Sequence, residues 1–305
     1  MGLQQNLRLA QSSLSPSKKF RYLLEYSFVR SFIFLLQVLP LSFARWFGGI
    51  LGCLLYLLLP SRFKIAKKNL IASFPKISEK ETQSIVRGCW KNLGRGLAEF
   101  AQMNQTSAPE LLSRFDEDGL DLLRQSYAQG KGVLVVTAHY GIWEIGSKFW
   151  PSSGFQMAVV ARRIKNPYVN DLITSIRCGS GSQVIVARDA VRESIRWLKK
   201  GGMLAILMDH RISEGGLKVP FFGRDAYTTS LPALLALRYK VPVHMAYCIM
   251  EGDKFKLQVT PAIDFSDLEP NEQGIYNATL RMNRGIEEWV KPRPELWLWI
   301  HDRWK

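Results

Sequence analysis

A histidine and a glutamate five residues apart are the side chains in this sequence best suited to acid–base chemistry. They are His139 and Glu144, within the segment Thr137-Ala-His-Tyr-Gly-Ile-Trp-Glu144. Five residues on an α-helix turn the chain by about 500°, which leaves the two side chains about 140° apart around the axis. The pair can meet only if His139 lies in the turn before a helix, and Gly141 allows a sharp turn there.

A histidine in such a turn lies near a helix N-terminus, whose partial positive charge keeps an imidazole neutral. A neutral ring that is held at its other nitrogen by a carboxylate is a general base for a hydroxyl that attacks an acyl group. We therefore predict a dyad in which His139 removes the proton and Glu144 orients the ring. The alternative is a capping or core histidine beside a surface glutamate, which the spacing alone would favour.

The residues after Gly130 alternate between short apolar runs and stretches of helical pattern. Apolar runs of this length predict strands that are buried on both faces of a sheet. The alternation indicates an α/β fold with a mostly parallel sheet flanked by helices. The predicted strands cover residues 132–138, 157–161, 183–187, 203–208 and 241–250, and the predicted helices cover about 142–150, 167–178, 189–200 and 229–239.

Helices dominate the prediction for residues 62–130. Ser78 and Glu81 have the spacing of a capping box, which opens a helix that runs through about Met103. The remaining predicted elements are another helix over 110–129, an added edge strand over Phe255–Thr260 and a long helix over 271–291.

Ligand sites in parallel sheets gather at the carboxyl ends of the strands. His139 directly follows the first predicted strand, and Asp209 directly follows the fourth. Both positions are therefore candidate site residues before any motif is considered. For His139, this location favours a functional role over a structural one.

The composition is that of a folded and basic protein. Of 305 residues, 47% are hydrophobic and 22% are charged, which excludes a disordered chain. The net charge of +15 favours anionic partners such as phospholipid headgroups, phosphorylated ligands or an acidic protein. Nucleic acid is a weaker explanation, because no recognised binding motif is present. The four cysteines form no CxxC pair, and we predict neither a metal site nor a cofactor.

The most apolar part of the chain lies between residues 31 and 60, where Arg45 is the only charged residue. The uncharged stretches on either side of Arg45 are shorter than the roughly 18 residues that indicate a spanning helix. Three arrangements fit: one tilted span, a hairpin that enters one leaflet, or an amphipathic pair in the interface. A buried core hairpin ranks below them, because basic clusters at 18–21 and 62–68 flank the segment.

Basic residues beside an apolar segment also mark the cytoplasmic side of a membrane. A cleaved signal peptide is not expected, because the apolar segment starts late and no small-x-small cleavage site follows it. We divide the chain into a membrane-associating region, residues 1–61, and an α/β domain, residues 62–305.

Six motifs, taken in order, resemble the bacterial lipid A biosynthesis acyltransferases. These are the Kdo-dependent lauroyl and myristoyl transferases within the lysophospholipid and glycerolipid acyltransferase superfamily, which shares an HxxxxD or HxxxxE motif. Each motif alone is weak, but their order and spacing over most of the chain make the likeness specific. The motifs are Asn69-Leu-Ile-Ala-Ser-Phe-Pro75, His139-Tyr-Gly-Ile-Trp-Glu144, Arg162-Arg-Ile-Lys-Asn-Pro167 with Arg177, Asp209-His210, Val219-Pro-Phe-Phe-Gly223 with Thr228 or Thr229 and Pro232-Ala233, and Pro294-Glu-Leu-Trp-Leu-Trp-Ile-His-Asp-Arg303.

The resemblance implies an enzyme that moves a fatty acyl chain from acyl carrier protein to a hydroxyl of a Kdo-lipid A precursor, on the cytoplasmic side of the inner membrane. Arg162 and Arg177 would bind phosphates of this glycolipid or stabilise the oxyanion, and solvated helix arginines are the alternative. Asp209 would belong to the site, or would only cap a helix. Phe222 and Gly223 would line the acyl groove, unless the aromatic residues pack in the core.

Two other functions remain open. An acyltransferase that uses acyl-CoA on another glycolipid or phospholipid would share these motifs, and a membrane lipid-binding protein could keep the fold without activity. His210 and Ile142 stand where the family usually has Gln and Asn, which bears on the acceptor more than on the chemistry. His301 and Arg303 lie in a terminal segment outside the predicted catalytic set, and His244 is expected to be structural.

Overall fold

Helices form the first part of the structure, a computed structural model that describes residues 14–212 and 215–304. The predicted capping box is confirmed at the start of the fourth helix. The amide of Glu81 donates to the Ser78 hydroxyl at 3.2 Å, and the amide of Ser78 donates to the Glu81 carboxylate at 2.9 Å. The helices of this part are α1 Pro16–Val38, α2 Leu41–Leu58, α3 Pro60–Ser73, α4 Glu79–Gln102 and the short α5 Ala108–Leu112.

Strands and helices alternate in the rest of the chain, with short 3₁₀ turns at Trp143–Ile145, Ala187–Asp189 and Pro294–Leu296. The strands are β1 Phe115–Asp118, β2 Val133–Thr137, β3 Met157–Ala161, β4 Gln183–Val186, β5 Met203–Leu207, β6 Leu217–Phe221, β7 Arg224–Thr228, β8 Val243–Glu251 and β9 Lys254–Val259. The helices are α6 Leu120–Ala128, α7 Gly146–Ser152, α8 Pro167–Gly179, α9 Ala190–Lys199, α10 Leu231–Tyr239 and α11 Glu272–Val290.

Seven strands form one sheet in the order β1-β9-β8-β2-β5-β3-β4. All neighbouring pairs in this sheet are parallel except β8 with β9. Strands β6 and β7 form a separate antiparallel hairpin. The predicted fold class, a mostly parallel sheet flanked by helices, is therefore confirmed.

The central strands β2 and β5 lie side by side, and Thr137 pairs with Leu207 at their carboxyl ends. His139 and Asp209 each follow two residues later. The strand order thus brings together the two residues that the sequence places at strand ends. The sequence does not reveal this neighbourhood, because 70 residues separate the two positions.

Apolar cores cover both faces of the sheet. Successive residues of a strand point to opposite faces. Val133 and Val135 of β2 accordingly belong to one core, while Leu134 and Val136 belong to the other. Burial on both faces explains why the central strands are apolar at nearly every position.

The structure differs from the predicted elements in three places. Residues 110–129 do not form one helix, because β1 lies between α5 and α6. Phe115 of β1 pairs with Phe255 and stacks on Phe149 with 4.1 Å between ring centroids, so tertiary contacts override the helical pattern. Strand β9 is not an edge strand, since β1 covers its outer side. The β6–β7 hairpin was not predicted.

Helix α2 is the one helix in the described part of the chain that is long and apolar enough to cross a membrane. It packs along α4 at very short range. A Cβ atom on Gly52 would collide with the carbonyl oxygen of Trp90, and one on Gly94 would collide with that of Gly48. The division after residue 61 stays a prediction, and α3 runs across that position.

The segment after α11 returns to the carboxyl edge of the sheet. The amide of Leu298 donates to the carbonyl oxygen of His139 at 3.0 Å, and the amide of Gly141 donates to that of Leu296 at 2.9 Å. The last residues of the chain therefore hold the backbone of the His139 turn in place.

Candidate active site

His139 and Asp209 form a hydrogen-bonded pair at the carboxyl ends of β2 and β5. The Nδ1 atom of His139 lies 2.8 Å from Oδ1 of Asp209, and the amide of His139 donates to Oδ2 at 2.9 Å. Asp209 is fully buried, whereas His139 lines a cavity. Within residues 14–212 and 215–304, no hydrogen-bond partner is present for Nε2 of His139, which is the atom a general base would use.

Three N–H groups stabilise the ionised form of Asp209. Besides the two of His139, the indole N–H of Trp297 donates to Oδ2 at 2.8 Å. Burial alone would raise the pKa of Asp209, but the charge and hydrogen bond of His139, helped by His301 and His210, hold it well below its usual range. A carboxylate on Nδ1 fixes the tautomer and stabilises the imidazolium that forms when Nε2 accepts a proton.

The predicted dyad of His139 with Glu144 is wrong, because Asp209 instead accepts the hydrogen bond from His139. No hydrogen bond or ion pair joins His139 to Glu144 in the described residues. The predicted sharp turn is present at Gly141, where φ is 65° and a Cβ would collide with the Cys248 carbonyl. This turn places His139 beside β5 and leaves Glu144 in the following 3₁₀ turn.

Glu144 instead forms a bidentate ion pair with Arg177 of α8. The Nε atom of Arg177 donates to Oε2 at 3.0 Å, and a terminal nitrogen donates to Oε1 at 2.5 Å. Burial acts to lower the pKa of Arg177, but the hydrogen bond and charge of Glu144 raise it overall. Both residues line the same cavity as His139. Glu144 therefore fixes a permanent positive charge on the cavity wall.

The cavity beside His139 has a volume of about 1490 Å³, which exceeds the usual range for small-molecule sites. Its polar residues follow the carboxyl ends of the strands, while its interior reaches into the apolar core on one face of the sheet. Val135, Ala205, Phe149 and Trp150 are among the buried residues that line this interior. A cavity with a polar mouth and an apolar interior suits a fatty acyl chain whose reactive end stays at the mouth.

The polar part of the cavity carries a surplus of positive charge. Arg162 is exposed and takes part in no ion pair within the described residues. Guanidinium groups of this kind suit phosphate oxygens, although phosphate binding by Arg162 stays a prediction. The charged residues that line the cavity are Arg162, Arg163, Arg177, Arg188 and Arg211 against Glu144 and Asp189.

Phe222 and Gly223 do not line this cavity, so the predicted acyl-groove role is not supported. They form the two-residue turn between β6 and β7, with φ values of 51° and 68°. Two positive φ values are typical of the tight hairpin turn, for which glycine is favoured. The ring of Phe222 packs against Phe74 and Trp299 in the core, which is the alternative stated from the sequence.

Three residues of the C-terminal segment belong to the site, although sequence reasoning left them out. Trp297 bonds to the carboxylate of Asp209, and Nε2 of His301 lies 3.1 Å from the Asp209 carbonyl oxygen. Arg303 is fully buried and donates to Thr228 at 2.5 Å. Burial lowers the pKa of Arg303 to about 10, so its guanidinium stays charged at neutral pH. The motif that ends the chain was the available signal, but it does not say what these side chains contact.

The ring of His210 packs close to that of His139, the candidate general base. Its ring centroid is 4.4 Å from that of His139 and 4.7 Å from that of His301. Partial burial lowers the pKa of His210, and the neighbouring imidazoles lower it further. A neutral ring therefore stands at this position at neutral pH.

The two buried cysteines, Cys89 and Cys248, are poor candidates for a catalytic nucleophile. Cys248 lines the cavity, but burial raises the pKa of its thiol well above the usual range, so the thiol stays protonated. Burial likewise raises the pKa of Cys89 to about 12. In the described part of the chain, no group of three or more His, Cys, Asp or Glu residues is arranged to hold a metal ion.

A mostly parallel α/β sheet, a histidine–carboxylate pair at its carboxyl edge and a deep apolar cavity beside that pair fit one enzyme class, the acyltransferases that act on lipids. The chain belongs to the family described as bacterial lipid A biosynthesis acyltransferase, whose match covers residues 15–305.

The individual relatives share a quarter or less of their aligned residues with this chain. The chain is 25% identical to the lipid A biosynthesis palmitoleoyltransferase of Escherichia coli over 274 residues, which cover 88% of this chain and 86% of that protein. It is also 25% identical to the lipid A biosynthesis lauroyltransferase of the same organism, over 90% of this chain and 89% of that protein. A phosphatidylinositol mannoside acyltransferase of Mycolicibacterium smegmatis is 20% identical over 66% of this chain and 67% of that protein.

Proposed function

We propose that this enzyme transfers a fatty acyl chain from acyl carrier protein to a hydroxyl on a hydroxyacyl chain of a Kdo-lipid A precursor, on the cytoplasmic side of the inner membrane. The observation that carries the proposal is the His139–Asp209 pair, which lies at the polar mouth of an apolar cavity. A general base at the polar mouth can contact the hydroxyl of the lipid acceptor. The apolar interior of the cavity can bind the fatty acyl chain that is transferred.

His139 is the general base of the proposed reaction. Its Nε2 atom accepts the proton of the acceptor hydroxyl, whose oxygen forms a bond to the thioester carbonyl carbon. The carbon–sulfur bond then breaks, and the thiolate that leaves takes the proton from the imidazolium. Asp209 remains ionised throughout and stabilises the imidazolium between these two steps.

Glu144 and Arg177 have a different role from the one expected of Glu144 in a dyad. Negative charge develops on the carbonyl oxygen during the attack, and a guanidinium already fixed in place stabilises such an oxyanion. Glu144 supplies that fixation through two hydrogen bonds to Arg177. Loss of Glu144 therefore impairs transfer even though it does not touch His139.

The acceptor is supported by the positive mouth of the cavity. Within residues 14–212 and 215–304, four arginines there form no ion pair with a carboxylate, unlike Arg177, and three of them follow the strands β3 and β4. Phosphate and carboxylate groups of a Kdo-lipid A precursor would match this charge. Two of the three relatives named above carry lipid A in their names, which favours the same acceptor class here.

The net charge of the enzyme supports acyl carrier protein as the acyl donor. The chain carries a net charge of +15, and acyl carrier proteins are strongly acidic. An enzyme that uses acyl-CoA on another glycolipid is the second candidate, and the mannoside acyltransferase among the relatives is the reason to test it.

The proposal is tested with purified enzyme, a lipid A precursor and two radiolabelled thioesters that carry the same acyl chain, one on acyl carrier protein and one on coenzyme A. We expect transfer from the carrier protein at a much higher kcat/KM than from coenzyme A. A preference for acyl-CoA would overturn the assigned donor, and no transfer from either thioester would overturn the assigned acceptor.

A non-catalytic lipid-binding protein is the remaining alternative. Replacing His139 with Ala removes the base, so transfer should fall by about 10²–10⁴-fold. The matched control is His244→Ala, which removes a buried histidine that bonds to Thr260 and Ser126 outside the cavity. Equal activity in the wild type and the His139 variant would contradict catalysis by this residue.

A further inference from the structure

Exposed apolar side chains are concentrated on the first three helices. Fifteen of the 21 exposed large hydrophobic residues in the described part of the chain lie within residues 14–73. Phe28 on α1, Trp46 on α2 and Leu57 near the end of α2 are 75%, 58% and 68% exposed. We call these fifteen side chains the N-terminal apolar surface. Its extent marks an interaction site, because monomeric soluble proteins rarely expose large contiguous apolar patches.

Helix α2 is attached to the protein body along its length and cannot leave it without loss of buried contacts. Gly48 and Gly52 pack directly on the backbone of α4. Arg45 is buried and pairs with Glu99 of α4, and it also donates to Asp253 in the turn between β8 and β9 at 2.6 Å. Glu99 in turn accepts from Arg114 at 2.8 Å. The helix is therefore part of the folded body.

This attachment excludes a spanning arrangement for α2. A helix that crossed the bilayer would carry its partner α4 into the hydrocarbon, together with the Arg45–Glu99 pair. Helix α4 is polar: Lys91 is exposed, and the stems of Lys91 and Arg95 lie beside Gly49 of α2. Each charge at the centre of a bilayer is strongly unfavourable, and α4 has no apolar outer face to meet lipid.

The charge around the N-terminal apolar surface identifies the partner. Residues 14–73 contain nine basic residues and one acidic residue, Glu25. Basic residues at the edge of an apolar surface favour an anionic lipid leaflet over a second copy of this basic chain. The exposed ones are Lys18, Lys19, Arg21, Arg30, Arg62, Lys64 and Lys68.

The same helices lie beside the mouth of the cavity. The side chain of Asn166 donates to the carbonyl oxygen of Tyr22 on α1 at 2.8 Å and to the carboxylate of Glu25 at 3.0 Å. Asn166 caps α8, and the residues just before it, Arg162 to Ile164, line the cavity. A leaflet bound to α1 would therefore meet the cavity mouth at the level of its headgroups.

From these observations we propose that α1, α2 and α3 bind as one unit to a single anionic leaflet, with α2 in the plane of the membrane and not across the bilayer. The proposal deepens the membrane association included in the proposed function. It predicts that both ends of α2 lie on the same side of the membrane.

The test uses two exposed residues, Ser42 near the start of α2 and Ser61 at the start of α3, just beyond the end of α2. Each is replaced singly with Cys in a Cys53→Ser, Cys178→Ser background and exposed to a membrane-impermeant maleimide in spheroplasts and in inverted inner-membrane vesicles. We expect both positions to be labelled in inverted vesicles and neither in spheroplasts. Labelling of either position in spheroplasts overturns the proposal, as does protection of both positions in both preparations.

A second measurement tests the surface itself with purified protein and vesicles of phosphatidylglycerol and phosphatidylcholine. Trp46→Glu and Leu57→Glu should each reduce the protein that floats with the vesicles by about tenfold. The control is Tyr239→Glu, which changes an exposed aromatic residue on α10 and should float like the wild type. Flotation of all three like the wild type overturns the proposal. Acyl transfer by the same variants in detergent separates this outcome from a failure of the proposed function.

Discussion

At the scale of single residues, the chemistry depends on which carboxylate holds His139. A hydrogen bond of 2.8 Å and two further N–H donors identify Asp209, which follows the neighbouring strand β5. Glu144, the residue nearest in sequence, holds Arg177 instead. In the proposed mechanism, the two acidic residues therefore serve the base and the oxyanion separately.

Replacing Asp209 with Asn tests this assignment. The amide keeps the size of the side chain but removes the charge that stabilises the imidazolium, so kcat should fall by about 10²–10⁴-fold. Steady-state transfer rates measured over a range of substrate concentrations will show whether the loss is in kcat.

The comparison variant is Glu144→Gln, which weakens the fixation of Arg177 but leaves the His139–Asp209 pair in place. We expect it to keep the wild-type NMR signal of the Nδ1 proton of His139, which reports the hydrogen bond to Asp209, whereas Asp209→Asn changes that signal. If Glu144→Gln changes this signal and Asp209→Asn does not, the assignment is reversed.

His244 gives a pH-dependent prediction away from the site. Burial lowers its pKa, despite the hydrogen bond to the Thr260 carbonyl, while an unfolded histidine binds a proton near pH 6.5. As the pH falls below 6.5, the unfolded chain gains a proton that the folded chain does not, so His244 makes the protein less stable there. The variant His244→Asn has no titratable side chain at this position, so it does not show this loss of stability at low pH.

The measurement is urea unfolding in detergent at pH 7.5 and pH 5.5. The variant should be less stable than the wild type at pH 7.5, and the difference should shrink at pH 5.5. Each unit of pKa difference corresponds to about 1.4 kcal/mol. A difference that grows as the pH falls would contradict the assignment of a lowered pKa.

At the scale of elements, the C-terminal segment supports the site through Trp297. Trp297→Phe keeps the apolar ring but removes the donor to Asp209, which leaves a buried carboxylate with one hydrogen bond fewer. Loss of such a bond to a charged group costs about 1.5–3 kcal/mol. We expect both the free energy of unfolding and the transfer rate to fall.

Trp304→Phe is the matched control, because the indole of Trp304 donates to the Phe221 carbonyl at 3.1 Å and does not contact Asp209. It should reduce stability and leave kcat close to that of the wild type. If both substitutions lowered kcat equally, the hydrogen bond from Trp297 to Asp209 would have no specific role in the site.

The contact between α2 and α4 gives a second prediction at this scale. Gly52→Ala places a Cβ against the Trp90 carbonyl, so the helices must separate, and overpacking of this kind typically costs about 1–3 kcal/mol. At Gly49, the nearest atom to a new Cβ is in the flexible Lys91 side chain at 3.4 Å. Gly49→Ala should therefore be neutral or stabilising. Thermal unfolding that ranks the two variants in the opposite order would contradict this packing.

Most of the elements were predictable from the sequence, for reasons that are local. The capping box at Ser78 and the continuous apolar runs of the central strands depend on neighbouring residues alone. Strand β1 was not predictable, because its four residues are mostly polar and its place depends on pairing with β9. The same holds for the β6–β7 hairpin, whose turn puts Phe222 at a positive φ that the sequence does not suggest.

At the scale of the whole molecule, the order of strands decides which residues form the site. The sequence placed His139 and Asp209 at strand ends, but only the adjacency of β2 and β5 makes them partners. The sequence placed Phe222 and Gly223 by motif, and the fold puts them outside the cavity. Positions fixed by a strand end were thus more informative than positions fixed by resemblance, because strand ends converge on one edge of the sheet.

The molecule also combines three features that a lipid acyltransferase needs: an apolar surface on its first helices, a positive cavity mouth beside that surface, and an apolar interior behind the base. No single residue carries this arrangement. It follows from the packing of α1 against the start of α8 and from the depth of the cavity along the sheet.

The most direct test of the central claim is a mass spectrum of lipid A from cells that lack the gene, complemented with either the wild-type chain or the His139→Ala variant. We predict that the wild type adds the mass of one fatty acyl chain and that the variant, present in the membrane at the same level, adds none. An identical acyl addition by both proteins would contradict catalysis by His139.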